Sequence, residues 1–274
     1  MDGLPVRLKQ TAEEVRLRVG QSLTICADGE RAVLPVIIKP RHISKMIELC
    51  TGASAHSVQD SIKKGYISIP GGHRVGLCGA CVLRDGQVYT MRDITSAAFR
   101  IAKDVRGIAK PLGLEKNFEN TLVVSPPGAG KTTLLRDLIR LLSQGNTVCV
   151  ADERYELSGQ YNQGFGFDLG AQTDVLCGCP KDKGVEMLLK TMSPQIIAVD
   201  EITQAADVAA LVQAAYCGVG LLASAHAFSA RDLQTRPVYK ELIKQRIFSR
   251  FVFISRGENG REYQVVDREE MECI

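Results

Sequence analysis

Short apolar runs and stretches of helical periodicity alternate along the second part of the chain. The runs have the length of strands, and the stretches between them place apolar residues three and four positions apart. This alternation is typical of a parallel sheet that helices cover on both faces. The pattern predicts strands at TLVVS, TVCVAD, IIAVD, GLLASA and FVFISR, and helices at TTLLRDLIRLLSQG and AADVAALVQAAY.

A turn signal follows the last of these runs. The segment Gly257-Glu258-Asn259-Gly260 precedes EYQVVD, and Asn-Gly is a favoured pair in two-residue hairpin turns. We therefore expect antiparallel strands at the C-terminal end of the sheet. The fold class predicted for residues 115–274 is α/β, with a parallel sheet and a C-terminal antiparallel hairpin.

The first part of the chain has a mixed pattern. Apolar and basic residues alternate in EVRLRVGQSLTICADG, which predicts a half-buried strand pair. Residues 1–114 are predicted to form a smaller α+β domain that ends near the segment Pro111-Leu112-Gly113-Leu114. Its further elements are expected to be two helices, a strand and a third helix, at Ile43–Cys50, Ser54–Lys64, Tyr66–Ile69 and Ala97–Val105.

Composition excludes several classes of protein. Hydrophobic residues make up 45% and charged residues 24% of the 274 residues, which is ordinary for a folded chain. The nine cysteines are scattered and odd in number, so we expect a reducing compartment, and the N-terminal residues do not resemble a signal peptide. The uncharged stretch Val208–Ala230 has the length of a membrane span, but it divides better into an Ala-rich helix ending at Gly218 and a buried strand.

The strongest chemical signal is SPPGAGKTT, Ser125–Thr133, which lies between an apolar strand and a helix. Its glycines let backbone N–H groups turn toward phosphates, while Lys131 reaches the β- and γ-oxygens of a nucleotide. The Thr132 hydroxyl suits Mg²⁺, and the helix dipole attracts negative charge. The residues predicted to bind ATP are Pro127, Gly128, Ala129, Gly130, Lys131, Thr132 and Thr133.

Two adjacent carboxylates end the apolar run IIAVD. Asp200 suits the Mg²⁺ shell, through Thr132 and water, and Glu201 suits a general base that polarises the attacking water. Acidic pairs at strand ends are common by themselves. Their position about 70 residues after a P-loop favours a role in hydrolysis.

Polar residues also follow two other predicted strands. His226, with Ser224, ends the run GLLASA, where a polar side chain can sense the γ-phosphate or simply cap the element. After VCVAD come Asp152, Glu153, Arg154 and Glu156. Of these, Glu153 is the candidate that orients water or metal, and an internal salt-bridge cluster is the alternative.

Two other sets of residues have a weaker signal. The pairs Cys78-x-x-Cys81 and Cys177-x-Cys179 suggest zinc, but neither has a His or further Cys at ligand spacing, so no zinc site is predicted. Arginines outside the loop can reach a phosphate site of a neighbouring chain or be solvated charges. The candidates are Arg74, Arg92 and Arg100.

With these motifs, the sequence resembles the stage III sporulation protein AA family, a branch close to the type II and type IV secretion ATPases of the RecA-like P-loop class. The resemblance covers nearly the whole chain. Ser125 departs from the first glycine of the loop pattern, and Asp200-Glu201 stands where secretion ATPases more often have Gly-Glu, so Glu201 is the shared position. The motifs are EVRLRVG, GGHRVGLCG, DIT, FRIA, PPGAGKTTLLRD, VADER, TDVLCGCPK, MSPQIIAVDEI and SAHA.

The resemblance implies an ATPase in the cytoplasm of the mother cell of an endospore-forming bacterium. It implies peripheral docking on the membrane-embedded channel between mother cell and forespore. Relatives assemble as hexamers with nucleotide at subunit boundaries, so a homo-oligomer is expected. The predicted function is ATP hydrolysis that drives assembly or transport, with Lys131, Glu201, His226 and Glu153 as catalytic residues and Thr132 and Asp200 as Mg²⁺ ligands.

Two other functions stay open at the level of sequence. A nucleotide-gated scaffold would bind ATP to assemble and would turn over little. A nucleic-acid motor is suggested by residues 1–116, which carry 18 Lys and Arg against 11 Asp and Glu. No basic stretch is interleaved with aromatic residues, and only 5% of residues are aromatic, so no nucleic acid is expected as a partner.

Overall fold

The computed structural model describes residues 11–27, 30–52, 62–63, 65–69, 71–159, 166–257 and 260–273. The chain divides into two compact units. Unit 1 comprises Met1–Lys103 together with Gly159–Gly166, and unit 2 comprises Asp104–Ser158 together with Phe167–Ile274. The chain therefore crosses from one unit to the other three times. The sequence-based division into domains after residue 114 stays a prediction.

Unit 1 contains a six-stranded antiparallel sheet in the order β3-β2-β1-β6-β5-β4. Helix α1 (Pro40–Thr51) packs apolar residues such as Ile43 into the same core as Ile67 and Val75. This core is separate from the two clusters of unit 2. The strands are β1 (Ala12–Arg18), β2 (Ser22–Ala27), β3 (Glu30–Ile37), β4 (Tyr66–Ile69), β5 (His73–Arg84) and β6 (Gln87–Arg100).

Most of the elements expected in this unit are present. The predicted strand pair is β1 and β2, which are antiparallel, and the first predicted helix is α1. The second helix, expected over Ser54–Lys64, lies outside the described residues except for helical Ile62 and Lys63.

The helix predicted over Ala97–Val105 is wrong. Residues 97–100 belong to strand β6, and residues 101–106 are not helical. Ala97 is paired with Leu17 on one side and with Leu77 on the other, and it is 4% exposed. The pairing partners are distant in sequence, so tertiary packing overrides the helix propensity of Ala97-Ala98.

Unit 2 contains a seven-stranded sheet in the order β13-β12-β7-β11-β10-β8-β9. Every pair of neighbours is parallel except β12 and β13, which form the predicted hairpin; its Glu258 and Asn259 lie outside the described residues. Strand β9 at the far edge was not predicted. The strands are β7 (Thr121–Ser125), β8 (Val148–Asp152), β9 (Thr173–Cys177), β10 (Ile196–Glu201), β11 (Gly220–His226), β12 (Arg250–Gly257) and β13 (Gly260–Asp267).

Helices cover both faces of this sheet. In β7, Val123 packs with α2, while Leu122 and Val124 belong to the cluster that contains α3 and α4. The predicted α/β class is confirmed, and in the described residues no helix is both long and apolar enough to cross a membrane. A 3₁₀ turn covers Lys110–Leu112, and the helices are α2 (Lys131–Leu142), α3 (Lys181–Thr191), α4 (Ala205–Tyr216), α5 (Ala230–Thr235), α6 (Pro237–Lys244) and α7 (Arg268–Cys273).

Candidate nucleotide site

Four strands of unit 2 end side by side at the carboxyl edge of the sheet. Ser125 at the end of β7 pairs with His226 of β11, and Ser224 of β11 pairs with Glu201 of β10. Strand β8, which ends at Asp152, follows β7 in sequence but lies beyond β11 and β10 in the sheet. The strand order thus reverses here, and ligands of open α/β sheets bind at such a switch point.

The loop after β7 has the backbone of a phosphate cradle. Gly128 and Gly130 have φ angles of +75° and +111°, which residues with a Cβ rarely adopt. Helix α2 begins at Lys131, and Gly130 precedes it as N-cap without a capping side chain. The N–H groups of the first helical turn are therefore free for an anion. All seven residues predicted to bind ATP lie in this loop and turn.

Lys131, His226 and Glu201 form a continuous chain of polar contacts. Lys131 is 5% exposed, and its Nζ lies 2.5 Å from Nδ1 of His226 and 3.3 Å from the Ser125 carbonyl oxygen. Nε2 of His226 lies 2.9 Å from Oε2 of Glu201. Because a protonated lysine can only donate, its shorter contact assigns Nδ1 as acceptor and Nε2–H as donor to Glu201, and the 3.3 Å approach of Nδ1 to the Ser125 carbonyl is then not a hydrogen bond. Desolvation lowers the pKa of Lys131, while the charges of Glu201 and Asp200 oppose this shift.

A buried tyrosine holds the backbone beside this chain. The Tyr239 hydroxyl accepts a hydrogen bond from the His226 N–H at 3.0 Å and donates one to the Ile202 carbonyl at 3.1 Å. Burial raises the pKa of Tyr239, so the side chain stays a phenol that can donate. It therefore links the ends of β11 and β10. The sequence analysis did not identify Tyr239, which lies on helix α6 and has no motif around it.

Asp200 lies where the ladder of β10 is interrupted. The pairing of β10 with β11 shifts between Ala198 and Glu201, and a bulge of this kind redirects side chains. Desolvation and the negative charges of Glu156 and Asp152 raise the pKa of Asp200 well above its usual range, and the Glu156 carboxyl is hydrogen-bonded to it. The Ser224 hydroxyl lies 3.5 Å from Asp200 Oδ1.

A divalent cation suits this crowding of carboxylates, because its positive charge would offset the repulsion between them. Mg²⁺ usually takes one or two carboxylates, with water and substrate phosphates completing its shell. Thr132 and Asp200 stay the Mg²⁺ ligands predicted from the sequence. Among the described residues, no group of three or more His, Cys, Asp and Glu side chains is arranged to hold a metal alone.

The polar residues after β8 have two different roles in the structure. Asp152 is 1% exposed, and its carboxylate accepts hydrogen bonds from the Glu156 N–H, the Ser158 N–H and the Ser158 hydroxyl at 2.8–2.9 Å. It therefore fixes the turn that follows the strand. Glu153 forms an ion pair with buried Lys181 at 2.6 Å. Glu153 and Lys181 line a pocket together with Arg154, Asp200, Glu201 and Thr203.

The other residues considered in the sequence analysis are three arginines and two pairs of cysteines. Arg74 stacks over the ring of Tyr66, 3.6 Å from its centroid, while Arg92 and Arg100 have side chains 74% and 72% exposed. All three belong to β5 and β6 of unit 1. All nine cysteines are free; Cys78 and Cys81 are exposed, and Cys177 and Cys179 are partly buried.

Comparison with known sequences finds one family that spans the chain. The family model described as "Sporulation stage III, protein AA" matches residues 6–272. Stage III sporulation protein AA of Bacillus subtilis (strain 168) is 37% identical over 267 residues, which cover 94% of this chain and 87% of the relative. The uncharacterized protein ycf45 of Cyanidium caldarium is 24% identical over 164 residues, which cover 55% of this chain and 46% of that protein.

Solved structures with the same fold include a pilus retraction motor and the ATPase DotB. The pilus retraction motor PilT with bound ADP has a TM-score of 0.65 and 16% identity, over 97% of this chain and 84% of its own. The ATPase DotB of Legionella pneumophila has a TM-score of 0.62 and 15% identity, over 97% of this chain and 79% of its own. At these identities the likeness concerns the fold, and it confirms the expected RecA-like P-loop core.

Proposed function

The chain belongs to the sporulation stage III protein AA family, and from that membership and the geometry of the site we propose that it binds ATP with Mg²⁺ and hydrolyses it. The observation that carries the proposal is the contact chain from Lys131 through His226 to Glu201. It joins the lysine of a phosphate loop to a carboxylate suited to act on water. A loop that only bound an anion would not require this connection.

The protein's own groups supply most of the chemistry. The N–H groups of the loop and first turn of α2 bind the phosphates, and Lys131 transfers its hydrogen bond from His226 to a phosphate oxygen. His226 is then free to face the γ-phosphate, and Glu201 orients the attacking water. Thr132 and Asp200 would hold Mg²⁺, which supplies positive charge against the charge developing on the phosphates.

We propose that Glu153 supports the site and takes no direct part in the hydrolysis step. Its ion pair with Lys181 orients both side chains on the wall of the pocket that Glu201 also lines. This position suits a group that fixes the site's shape and charge. The catalytic role predicted from sequence therefore rests on whether Glu153 leaves Lys181 when nucleotide binds.

The proposal extends to assembly and location. We propose a homo-oligomer, most simply a hexamer, with nucleotide near subunit boundaries, because the fold is that of the secretion ATPases the sequence resembles. Family membership supports docking on membrane-embedded sporulation proteins from the mother-cell cytoplasm. In such an oligomer an arginine from unit 1 of a neighbouring copy, Arg74, Arg92 or Arg100, would complete the phosphate site.

The first experiment measures phosphate release by the purified full chain with ATP and Mg²⁺ across a series of protein concentrations. We expect activity that rises more than linearly with concentration, because the sites are shared between copies. Lys131→Ala and Glu201→Gln should each reduce turnover by at least about 10²-fold, the scale of a lost phosphate or water-positioning group. Lys190→Ala and Glu241→Gln are matched controls, because both residues are exposed on helices of unit 2.

The possible outcomes separate the alternative functions. Tight ATP binding with slow release that Glu201→Gln leaves unchanged would contradict hydrolysis and favour a nucleotide-gated scaffold. Release stimulated by single-stranded nucleic acid, with binding lost at high salt, would favour a nucleic-acid motor. Equal activity in the wild type and Lys131→Ala would exclude the loop as the site.

A further inference from the structure

The C-terminal hairpin extends beyond the sheet at the edge where the phosphate loop lies. Strand β12 pairs with β7 from Arg250 opposite Thr121 to Phe253 opposite Val124. It then continues to Gly257, past the end of β7, and β13 returns from Gly260 along it. The ends of the two strands at Gly257 and Gly260 therefore extend past the end of β7, on the side of the loop that follows it.

The alternation of the strands determines which side chains face that loop. Val252 and Ile254 of β12 and Tyr263 of β13 pack in the cluster that contains helix α2. Arg256 is the next residue on this face of β12, and Arg261 is paired directly with it on β13. Two arginines thus continue an apolar stripe toward the N-terminal end of α2.

Arg261 lies against the loop itself. A Cβ built on Gly130 would be 2.9 Å from both Cζ and Nε of Arg261. Gly130 is the residue that precedes Lys131 and caps α2. The guanidinium group therefore occupies the space beside the phosphate loop that a larger residue at position 130 would fill.

Arg256 and Arg261 place two positive charges opposite each other on the paired strands. Like charges directly opposite each other across two strands are destabilising. Within the described part of the chain, neither Arg256 nor Arg261 forms an ion pair, and both side chains are exposed. Both features are consistent with an anionic ligand that joins the two arginines, and the helix N-terminus next to them favours the same charge.

We propose that Arg261, with Arg256 opposite it, binds the phosphate chain of the nucleotide held by the loop of the same chain. This inference rests on the proposed function and adds a phosphate-binding pair in cis. It differs from the unit 1 arginines, which would act between copies. The ligand chemistry is a polyphosphate, and the base is not involved.

The test is equilibrium binding of a fluorescent ATP analogue to the full chain, with displacement by ATP and by inorganic tripolyphosphate. Arg261→Ala should weaken both competitors about tenfold, the scale of one charge-assisted hydrogen bond. Arg256→Ala should have a smaller effect in the same direction, and Arg261→Lys should restore part of the loss as a point charge. Lys190→Ala, which removes one exposed positive charge from α3, should leave both affinities unchanged.

The controls are the unfolding midpoints of the variants and the binding of ATP by Lys131→Ala. Unfolding midpoints without nucleotide should match the wild type for each variant, because both arginines are exposed. If the wild type binds ATP and Arg261→Ala binds it equally well, the inference fails and the proposed function stands. Weakened ATP binding with unchanged tripolyphosphate binding would also overturn the inference, because the contact would be with the base. If neither the wild type nor Lys131→Ala binds ATP, the proposed function itself fails.

Discussion

The two glycines of the phosphate loop differ in what surrounds them. Both have positive φ angles, but a Cβ at Gly128 would meet open space, whereas one at Gly130 would collide with Arg261. A φ of +111° is also further from the left-handed region that other residues tolerate. The backbone alone therefore favours glycine at position 128, whereas at position 130 an added Cβ would also displace the exposed guanidinium end of Arg261.

Alanine substitutions should separate these causes. We expect Gly130→Ala to destabilise the protein by about 1–3 kcal/mol and to remove ATP binding, and Gly128→Ala to have the smaller effect on stability. Denaturant unfolding and nucleotide titration measure both quantities. Adding Arg261→Ala to Gly130→Ala should recover only the part of the lost stability that is due to the contact between the new Cβ and Arg261. A Gly130→Ala protein as stable as the wild type would show that the loop adopts another conformation.

The cysteines differ in reactivity for a physical reason. Burial raises the pKa of Cys149 to about 11, so at pH 8 its thiol stays protonated, and only the thiolate is nucleophilic. Iodoacetamide at pH 8 should therefore modify the exposed Cys78, Cys81, Cys217 and Cys273 and leave Cys149 unmodified. Mass spectrometry of peptides identifies the modified cysteines. The control is denatured protein, in which all nine cysteines should react. Rapid labelling of Cys149 in the folded protein would contradict its burial.

At the scale of elements, the turn after β8 depends on one carboxylate. Asp152→Ala leaves three donors without their acceptor, so we expect a loss of about 1–3 kcal/mol of stability, measured by urea unfolding. The hydrolysis rate should fall as well, because Glu156, which this turn positions, is hydrogen-bonded to Asp200. Ser158→Ala removes only one of the three donors and should cost less. Equal losses for the two variants would mean that the backbone N–H groups find other partners.

At the scale of the whole molecule, the chain has separate cores. One apolar cluster belongs to unit 1, and the two clusters of unit 2 flank its sheet. We therefore expect two transitions in calorimetric unfolding. MgATP at about 100 times its dissociation constant should stabilise the unit that binds it by about 2.7 kcal/mol and leave the other transition in place.

Lys131→Ala is the control for that measurement, since MgATP should no longer shift either transition from its position in the nucleotide-free variant. A single transition that shifts as a whole would show that the two units unfold as one cooperative body. That result would contradict the expected independence of the cores while leaving nucleotide binding intact.

How much the sequence could predict depended on the range of each interaction. The structures of SPPGAGKTT and IIAVDE depend mainly on residues within each segment. The phosphate loop, its flanking strands and the positions of Lys131, Asp200 and Glu201 could therefore be predicted from short segments. The contact between Lys131 and His226 depends on β11 lying next to β7, and no local pattern encodes the order of strands. The same limit explains the error at Ala97, whose strand is fixed by Leu17 and Leu77. It also explains why Tyr239 and Arg261 were not identified, because each meets its partners only through the fold.

Because Gly159–Gly166 belongs to unit 1, it affects how a shorter protein should be designed. A protein that began at residue 104 would still contain residues 159–166. It would lack Gly72, whose N–H donates a hydrogen bond to the Gly159 carbonyl. Ser158 and Phe167, which flank this segment in unit 2, are already joined, because the Phe167 N–H donates a hydrogen bond to the Ser158 carbonyl at 2.7 Å. A fragment limited to unit 2 should therefore replace residues 159–166 with a short glycine-rich turn between Ser158 and Phe167, which one hydrogen bond already joins.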